Sequence, residues 1–436
     1  MQLNQPTSIR GAVATLTAAL LSSGAAAATP PLDKVESSIL LYSETNRVTA
    51  LEGVVSADKT FAGDQKLRMK LTFDGLTGAS PNGATPSAGI QTFTRPSGHG
   101  SYSVNPGELP LDDTFQDTRV ALNAAFSQPL SRLTILSTGV NFSTEYDYLS
   151  LGANAGISQE MNGRNTTLSF SAAFSHDQIS PEGGIPDPLT LLSAVSGGAE
   201  DDDEHEDDDD RGRLSDSDTK DVIDLVAGVS QIIDRKTIAR FNYSFSRVSG
   251  YQTDPFKIIS IVSGPSTANA GEPLDYLYES RPDSRTKNAV FGEVRRYFGG
   301  HTVDLSYRYF WDDWGIRSHT VDFAYRLPLG SDKALLPRVR WYHQTQADFY
   351  HAFLVDGQSV PQHVSADYRL AKFDAVTVGL AYAFPIAEHS HLKIGAEYYS
   401  QFGDKSPPEA FGSLRQYDLF PKLDALMIRL GYVHNF

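Results

Sequence analysis

The densest chemical feature of this sequence is a run of carboxylates, Glu200-Asp201-Asp202-Asp203-Glu204-His205-Glu206-Asp207-Asp208-Asp209-Asp210. Carboxylates at this density repel one another and attract divalent cations, and hard oxygen ligands suit Ca²⁺ or Mg²⁺. The run lacks the glycine-punctuated D-x-D-x-D-G-x5-E spacing of a calcium loop. A block of like charge is ordinarily solvated and disordered. The stretch 196–219 therefore reads as a disordered acidic loop. Its only chemistry is weak, non-stoichiometric cation binding by Asp201, Asp202, Asp203, Glu204, Glu206, Asp207, Asp208, Asp209 and Asp210.

Catalytic constellations find little support. The chain has no G-x-S-x-G, no H-E-x-x-H and no phosphate-binding glycine loop. Ser97-Gly98-His99-Gly100-Ser101 brings Ser and His together, but in a glycine-rich loop where both are solvated. His319, His343 and His351 fall near strand ends, where a triad assembled from scattered residues would sit. There is no Cys, so disulfides, thiolate metal sites and C-x-x-C-H haem attachment are excluded. The expectation is a protein that is not an enzyme and has no cofactor of its own.

A second set of charges recurs at alternate positions of strand-like segments: Asp224, Arg240, Glu293, Arg295, Asp304, Arg308, Asp322, Arg326, Arg338, Arg340, Lys393, Glu397 and Arg429. Two readings apply. Neighbouring Arg and carboxylate groups can bridge across strands and fix a wall. Alternatively, an excess of cations lining a water-filled pore favours anions. The two are not exclusive.

Only one kind of scaffold presents such a set. Segments of about 9–13 residues with period-2 alternation recur along the chain. They fall near 36–43, 47–59, 66–74, 117–127, 131–143, 148–158, 165–175, 220–233, 236–247, 285–298, 302–311, 316–327, 336–347, 370–384, 390–400 and 423–436. That makes 16, with 14 as the alternative. In 302–311, Val303, Leu305, Tyr307, Tyr309 and Trp311 share one face, and Asp304, Ser306 and Arg308 the other. Lys or Arg on a lipid-facing position costs about 2–4 kcal/mol at the bilayer midplane, so the polar set must face inward. Connections alternate in phase: short turns such as Asp234-Arg235 and Gly299-Gly300-His301 against long loops 75–116, 176–219, 248–284, 348–369 and 401–422. The fold class is all-β: a transmembrane antiparallel up-and-down barrel with long extracellular loops.

Both termini agree. Arg10, an apolar stretch from Gly11 to Leu21 and the small residues up to Ala28 read as a cleaved signal peptide over 1–28. The last strand, Ala425 to Phe436, alternates and ends on an aromatic. It closes the barrel and carries the signal read by the barrel insertion machinery. Ile428, Leu430, Tyr432 and Phe436 face lipid, with His434 interrupting the series. Aromatics make up 11% of the chain, in keeping with girdles at both membrane interfaces. A net charge of −16, ten units of it between Glu200 and Asp210, argues against nucleic acid as a partner. The outer membrane is the expected location, with its lipid as partner.

Three blocks carry a resemblance: Thr77-Gly78-Ala79-Ser80-Pro81-Asn82-Gly83-Ala84, Glu279-Ser280-Arg281-Pro282-Asp283-Ser284-Arg285-Thr286, and the segment Tyr307 to Thr320 around Trp311-Asp312-Asp313-Trp314. Together with Leu40 to Glu44 and Arg47, they are similar to a family of uncharacterised Gram-negative outer-membrane β-barrel proteins, known only as a domain of unknown function. The resemblance covers residues 29–436 and implies a barrel without an established activity. It also hints at a link to envelope redox assembly. Arg281, Asp283, Arg285, Trp311, Asp312, Asp313 and Trp314 lie at the outer rim on this topology. The carboxylates of that turn are placed to bridge Arg281, Arg285 or Arg317, either bracing the rim or forming a recognition surface. The leading expectation is a pore or transport protein for small hydrophilic solutes. The alternative is a structural or assembly barrel that binds a periplasmic or lipoprotein partner, and the third is an outer-membrane hydrolase.

Overall fold

The computed structural model describes residues 33–95, 100–192 and 213–436. Sixteen antiparallel strands form one closed barrel. They are β1 (Lys34–Glu44), β2 (Thr49–Thr60), β3 (Lys66–Pro81), β4 (Leu111–Pro129), β5 (Thr134–Thr144), β6 (Tyr148–Met161), β7 (Thr166–Ile179) and β8 (Asp218–Asp234). Then follow β9 (Thr237–Gly250), β10 (Ser284–Phe298), β11 (His301–Asp312), β12 (Arg317–Pro328), β13 (Ala334–Gln344), β14 (Phe373–Ala387), β15 (Ser390–Gly403) and β16 (Leu423–Asn435). Each strand pairs with its chain neighbour, and β1 pairs with β16 from Lys34↔Asn435 to Glu44↔Ala425. Closure leaves no unpaired strand edge, which the absence of water in a bilayer core demands.

Alternation decides which face each residue takes. Val140, Leu151, Phe170, Phe241, Leu305, Val378 and Leu430 are all exposed on the outside of the wall. Such a continuous apolar surface would be untenable in water and is what lipid requires. His434 belongs to this outer face. It stacks on Tyr432, meets Phe436 edge-on, and its Nδ1 lies 2.8 Å from Ser390 Oγ. At the end holding the termini, the turns are tight. Gly299 and Gly300 take φ of 56° and 92°, the paired left-handed conformations that a two-residue hairpin needs.

At the other end, strands and connections depart from the simple expectation. β3 and β4 stay paired out to Pro81↔Leu111, well past the hydrophobic pattern. Backbone pairing persists there because it needs no lipid-facing side chains. β8 begins at Asp218 and Arg213–Ser215 pairs with Ile185–Pro186, so the last part of the stretch 196–219 is in strands. The acidic run itself, 200–210, lies outside the described residues.

The long connections do not stand apart as separate loops. They fold together into a cap with its own core. Ile258–Val262 pairs antiparallel with Pro273–Tyr278 and parallel with Leu354–Val355, a sheet drawn from two different connections. Ile259 and Val262 of this sheet, and Phe93 and Leu414 of other connections, are fully buried. Phe420 and Tyr368 of the cap pack against Tyr342, Phe373, Ala375 and Tyr399 of the wall. Register places these four on the inward face, so the cap reaches into the barrel mouth.

Candidate functional site

The inward charges form a braced wall. Arg240 Nη1 lies 3.3 Å from Glu293 Oε2, and Arg295 Nη2 lies 3.2 Å from Glu293 Oε1. Arg295 also pairs with Asp304 on the next strand. Asp322 accepts from Arg338 at 2.6 Å and from Arg340 at 2.7 Å, and Arg338 reaches Glu397 at 3.4 Å. Arg308 lies over the Phe310 ring, 5.6 Å from its centroid. Asp224 faces inward between Ala173 and Ser246.

Besides Arg308, which has a ring contact but no ion pair, three cations of the expected set stand apart from this bracing. Arg326, Lys393 and Arg429 have no ion-pair partner among the described residues. They line a lumen cavity of about 470 Å³, together with Arg295, Asp304, Arg338 and Glu397. The local sum is five cations (Arg295, Arg326, Arg338, Lys393, Arg429) against two carboxylates (Asp304, Glu397), or +3. Lys393 follows the turn before β15, and Arg326 precedes the turn after β12. The cavity therefore lies toward the end that holds the termini, away from the cap.

The rim residues separate into distinct roles. Arg285 bonds Asp312, Nε to Oδ2 at 2.8 Å, and lies 4.2 Å over the Trp314 ring. Asp313 Oδ1 accepts the Thr286 N–H at 2.8 Å. Trp311 faces outward and stacks on Tyr309 at 5.4 Å, as a girdle aromatic. Trp314 is instead buried, packed with Ile316, Ala347, Phe349 and Leu370. Its indole N–H donates to the Ser284 carbonyl at 2.9 Å. The Asp283 carbonyl accepts from Gly250 N–H at 2.8 Å. The expected bridge from this turn to Arg281 does not form. Arg281 turns to Glu279 and Asp367, because the cap offers two fully buried carboxylates that need a cation. Arg317 is likewise free of the turn's carboxylates, and its backbone N–H donates to Thr345 Oγ1.

The cap network was not legible in advance. Arg281 Nε lies 2.6 Å from Glu279 Oε1, and Asp254 N–H donates to the same carboxylate at 2.7 Å. Ser365 Oγ donates to its other oxygen. Arg369 spans Asp367 at 2.6 Å and Asp254 at 2.7 Å. Burial pushes the Glu279 carboxyl up, against the pull of Arg281. Burial acts the same way on Asp367, but Arg369, Arg281 and Lys257 outweigh it and hold that carboxyl well below the usual range.

Asp117, Glu145 and Asp147 present carboxylate oxygens within 4.8 Å of one another, a geometry that could hold a metal ion. The acidic run 201–210 and the Ser97–His99 pairing lie outside the described residues. His319 and His343, weighed above as triad members, sit on the lipid-facing side. Their Nδ1 atoms meet Tyr307 Oη at 2.7 Å and Asp374 Oδ1 at 3.0 Å, and no serine joins them in those bonds.

A family described as "Protein of unknown function (DUF3570)" matches residues 10–434. No curated protein matches. Among solved structures, the siderophore receptor PirA from Pseudomonas aeruginosa is similar at 10% identity and a TM-score of 0.40, over 86% of this chain and 57% of that one. The chain thus spans little more than half the length of that receptor. A bacterial polysaccharide outer membrane secretin is similar at 8% identity and 0.44, over 93% and 100% of the two chains. The CymD monoaromatic hydrocarbon channel is similar at 7% identity and 0.39, over 94% and 89%.

Proposed function

We propose a transport role for this chain, which belongs to the DUF3570 family of proteins of unknown function: an outer-membrane barrel that passes small hydrophilic solutes and prefers anions. One observation carries the reading. Arg326, Lys393 and Arg429 line a lumen cavity of about 470 Å³ without carboxylate partners. Cations held on an inward wall concentrate anions in the water beside them, as in pores lined by Arg and Lys. A self-paired wall would leave none over. The cap governs flow, because it packs into the barrel mouth through Phe420 and Tyr368. Transport on this reading is gated, and residues 1–28 serve as the export signal.

Planar-bilayer recording from purified protein tests the proposal. Ohmic steps with a reversal potential displaced toward the anion are expected in a salt gradient. Replacing Arg326, Lys393 and Arg429 together by Glu should move that potential toward the cation. A barrel that stays silent, even after its cap is loosened, rules the proposal out.

The cap favours a second reading. A barrel whose mouth is filled by its own folded connections also suits a structural or assembly role, with a periplasmic or lipoprotein partner held at the open end. Co-purification of one such partner with a silent barrel would favour it.

A further inference from the structure

The lipid-facing wall carries an oddity at its outer edge. Tyr309 on β11, His319 on β12, His343 on β13 and Asp374 on β14 are successive register partners, a polar row crossing four strands at one height. Their outward direction follows from alternation with Arg308, Thr320, Tyr342 and Ala375, which face the lumen. Beside the row, Tyr307, Tyr309, Arg317, His319, His343 and Thr345 line an open recess of about 420 Å³.

The recess is built to present positive charge and donors outward. His319 and His343 engage Tyr307 and Asp374 through Nδ1, which leaves each Nε2 directed away from those bonds. The Asp374 carboxylate holds the His343 ring in place through Nδ1, 3.0 Å away. Trp341 stacks on His343 with 10° between ring planes, and Trp311 stacks on Tyr309, so the row is held between two indoles. The Arg317 and Thr345 backbones bond each other across the rim, Thr345 N to Arg317 O at 2.9 Å. The Arg317 side chain has no ion-pair partner among the described residues.

The position supplies the partner's chemistry. Tyr and Trp mark the level of the lipid headgroups. A cationic recess on the membrane side at that level meets headgroups rather than acyl chains. Arginine is the side chain best matched to phosphate, through paired N–H donors. We propose that this recess is a headgroup site for a phosphorylated lipid of the outer leaflet, with Arg317 as the phosphate clamp and His319 and His343 as flanking donors. The site lies outside the lumen and does not depend on transport.

Native mass spectrometry of the full chain in a phosphate-free neutral detergent tests this. The probes are lipid A, the same lipid with its phosphates removed, and inorganic phosphate. Intact lipid A should be retained about tenfold better than its dephosphorylated form, as the loss of one charge-assisted contact implies. The double substitution Arg317→Ala, His319→Ala should lower retention by a similar factor, and Arg317→Lys should restore part of it. Arg247→Ala is the control, because Arg247 faces outward opposite Ile223 on strands that do not line the recess. Equal retention of both lipid forms, or an equal loss with Arg247→Ala, overturns the proposal. So does full displacement by inorganic phosphate at equal concentration, which would make the recess a site for the free anion.

Discussion

Arg281 Nη2 lies 2.9 Å from Asp367 Oδ2, although 86 residues separate the two in sequence. The bond ties the connection after β9 to the connection after β13, and Asp367 is 1% exposed. Removing Arg281 leaves Asp367 with Arg369 but strips the buried Glu279 of its cation, and an uncompensated buried charge costs about 3–5 kcal/mol. Arg281→Met should therefore loosen the cap and leave the barrel wall intact. Limited proteolysis should cut within 251–283 and 345–372 while the boiled and unboiled proteins still migrate differently on a gel. If the transport reading holds, bilayer conductance rises with the same variant.

Glu145, in the turn between β5 and β6, gives a pH dependence of known sign. Burial and a hydrogen bond with Asp117 push its carboxyl up to about 7, against the charge of Arg119. A carboxyl raised in the folded state binds more protons folded than unfolded. Stability at this turn is then greatest below the unfolded value of 4.5 and falls as pH rises toward about 7. The protection factors of the amides of Glu145 to Tyr148, with the hydroxide-catalysed rise of intrinsic exchange divided out, should fall between pH 5 and pH 8 by about tenfold or more. Glu145→Gln should flatten that profile. An unchanged profile in the variant would show that another group is responsible.

The wall was legible in the sequence because its rule is local. Leu305 and Tyr307 alternate with Asp304 and Ser306, and one slip in register would place charge in lipid. The strand number and lumen faces follow from that rule. The cap follows from no such rule. Ile258–Val262 finds its partners 11 to 20 and 93 residues away, and its short apolar run has no period to separate it from a loop. Arg281 illustrates the limit. Its place at the outer rim could be read, but the choice of Asp367 over Asp312 depends on which carboxylates the cap buries. Trp314 fails for the same reason: the turn was visible, the pocket of Ala347, Phe349 and Leu370 that receives it was not.

Gly315 should be intolerant of a side chain. Its φ is +84°, and an added Cβ would meet Asp348 Oδ1 at 2.2 Å. Gly315→Ala therefore combines a left-handed conformation with a collision against a carboxylate, a strain of about 1–3 kcal/mol. The neighbouring Trp314 reports the outcome. Its indole is buried in the cap cluster, so the variant should show a red-shifted emission and greater quenching by iodide. Control substitution at Gly330, where nothing lies within 4 Å of an added Cβ, strains only the backbone and should leave the emission unchanged.

Asp322 balances two arginines, Arg338 at 2.6 Å and Arg340 at 2.7 Å. Asp322→Asn keeps the shape of the side chain and removes its charge. The wall should survive, since these groups are partly solvated and such pairs contribute about 1 kcal/mol or less. Arg340 then faces the lumen water without a carboxylate, Arg338 keeps only Glu397, and the wall gains one net positive charge. Anion preference should rise, read as a larger reversal potential in a salt gradient. The same substitution in the Arg326, Lys393 and Arg429 variant should offset part of its change in selectivity.

The closing strand offers a matched pair of substitutions on adjacent residues. Leu430 is 41% exposed on the outer face, opposite Ile39 and Ile394, while Arg429 faces the lumen beside Leu40 and Gly395. Leu430→Arg places charge in lipid, at about 2–4 kcal/mol near the midplane. Arg429→Leu loses a cation from a water-lined wall and should cost under about 1 kcal/mol. Urea unfolding in vesicles should separate the two variants by that difference. Equal stability would mean that this face of β16 does not meet lipid, contrary to the register that closes the barrel.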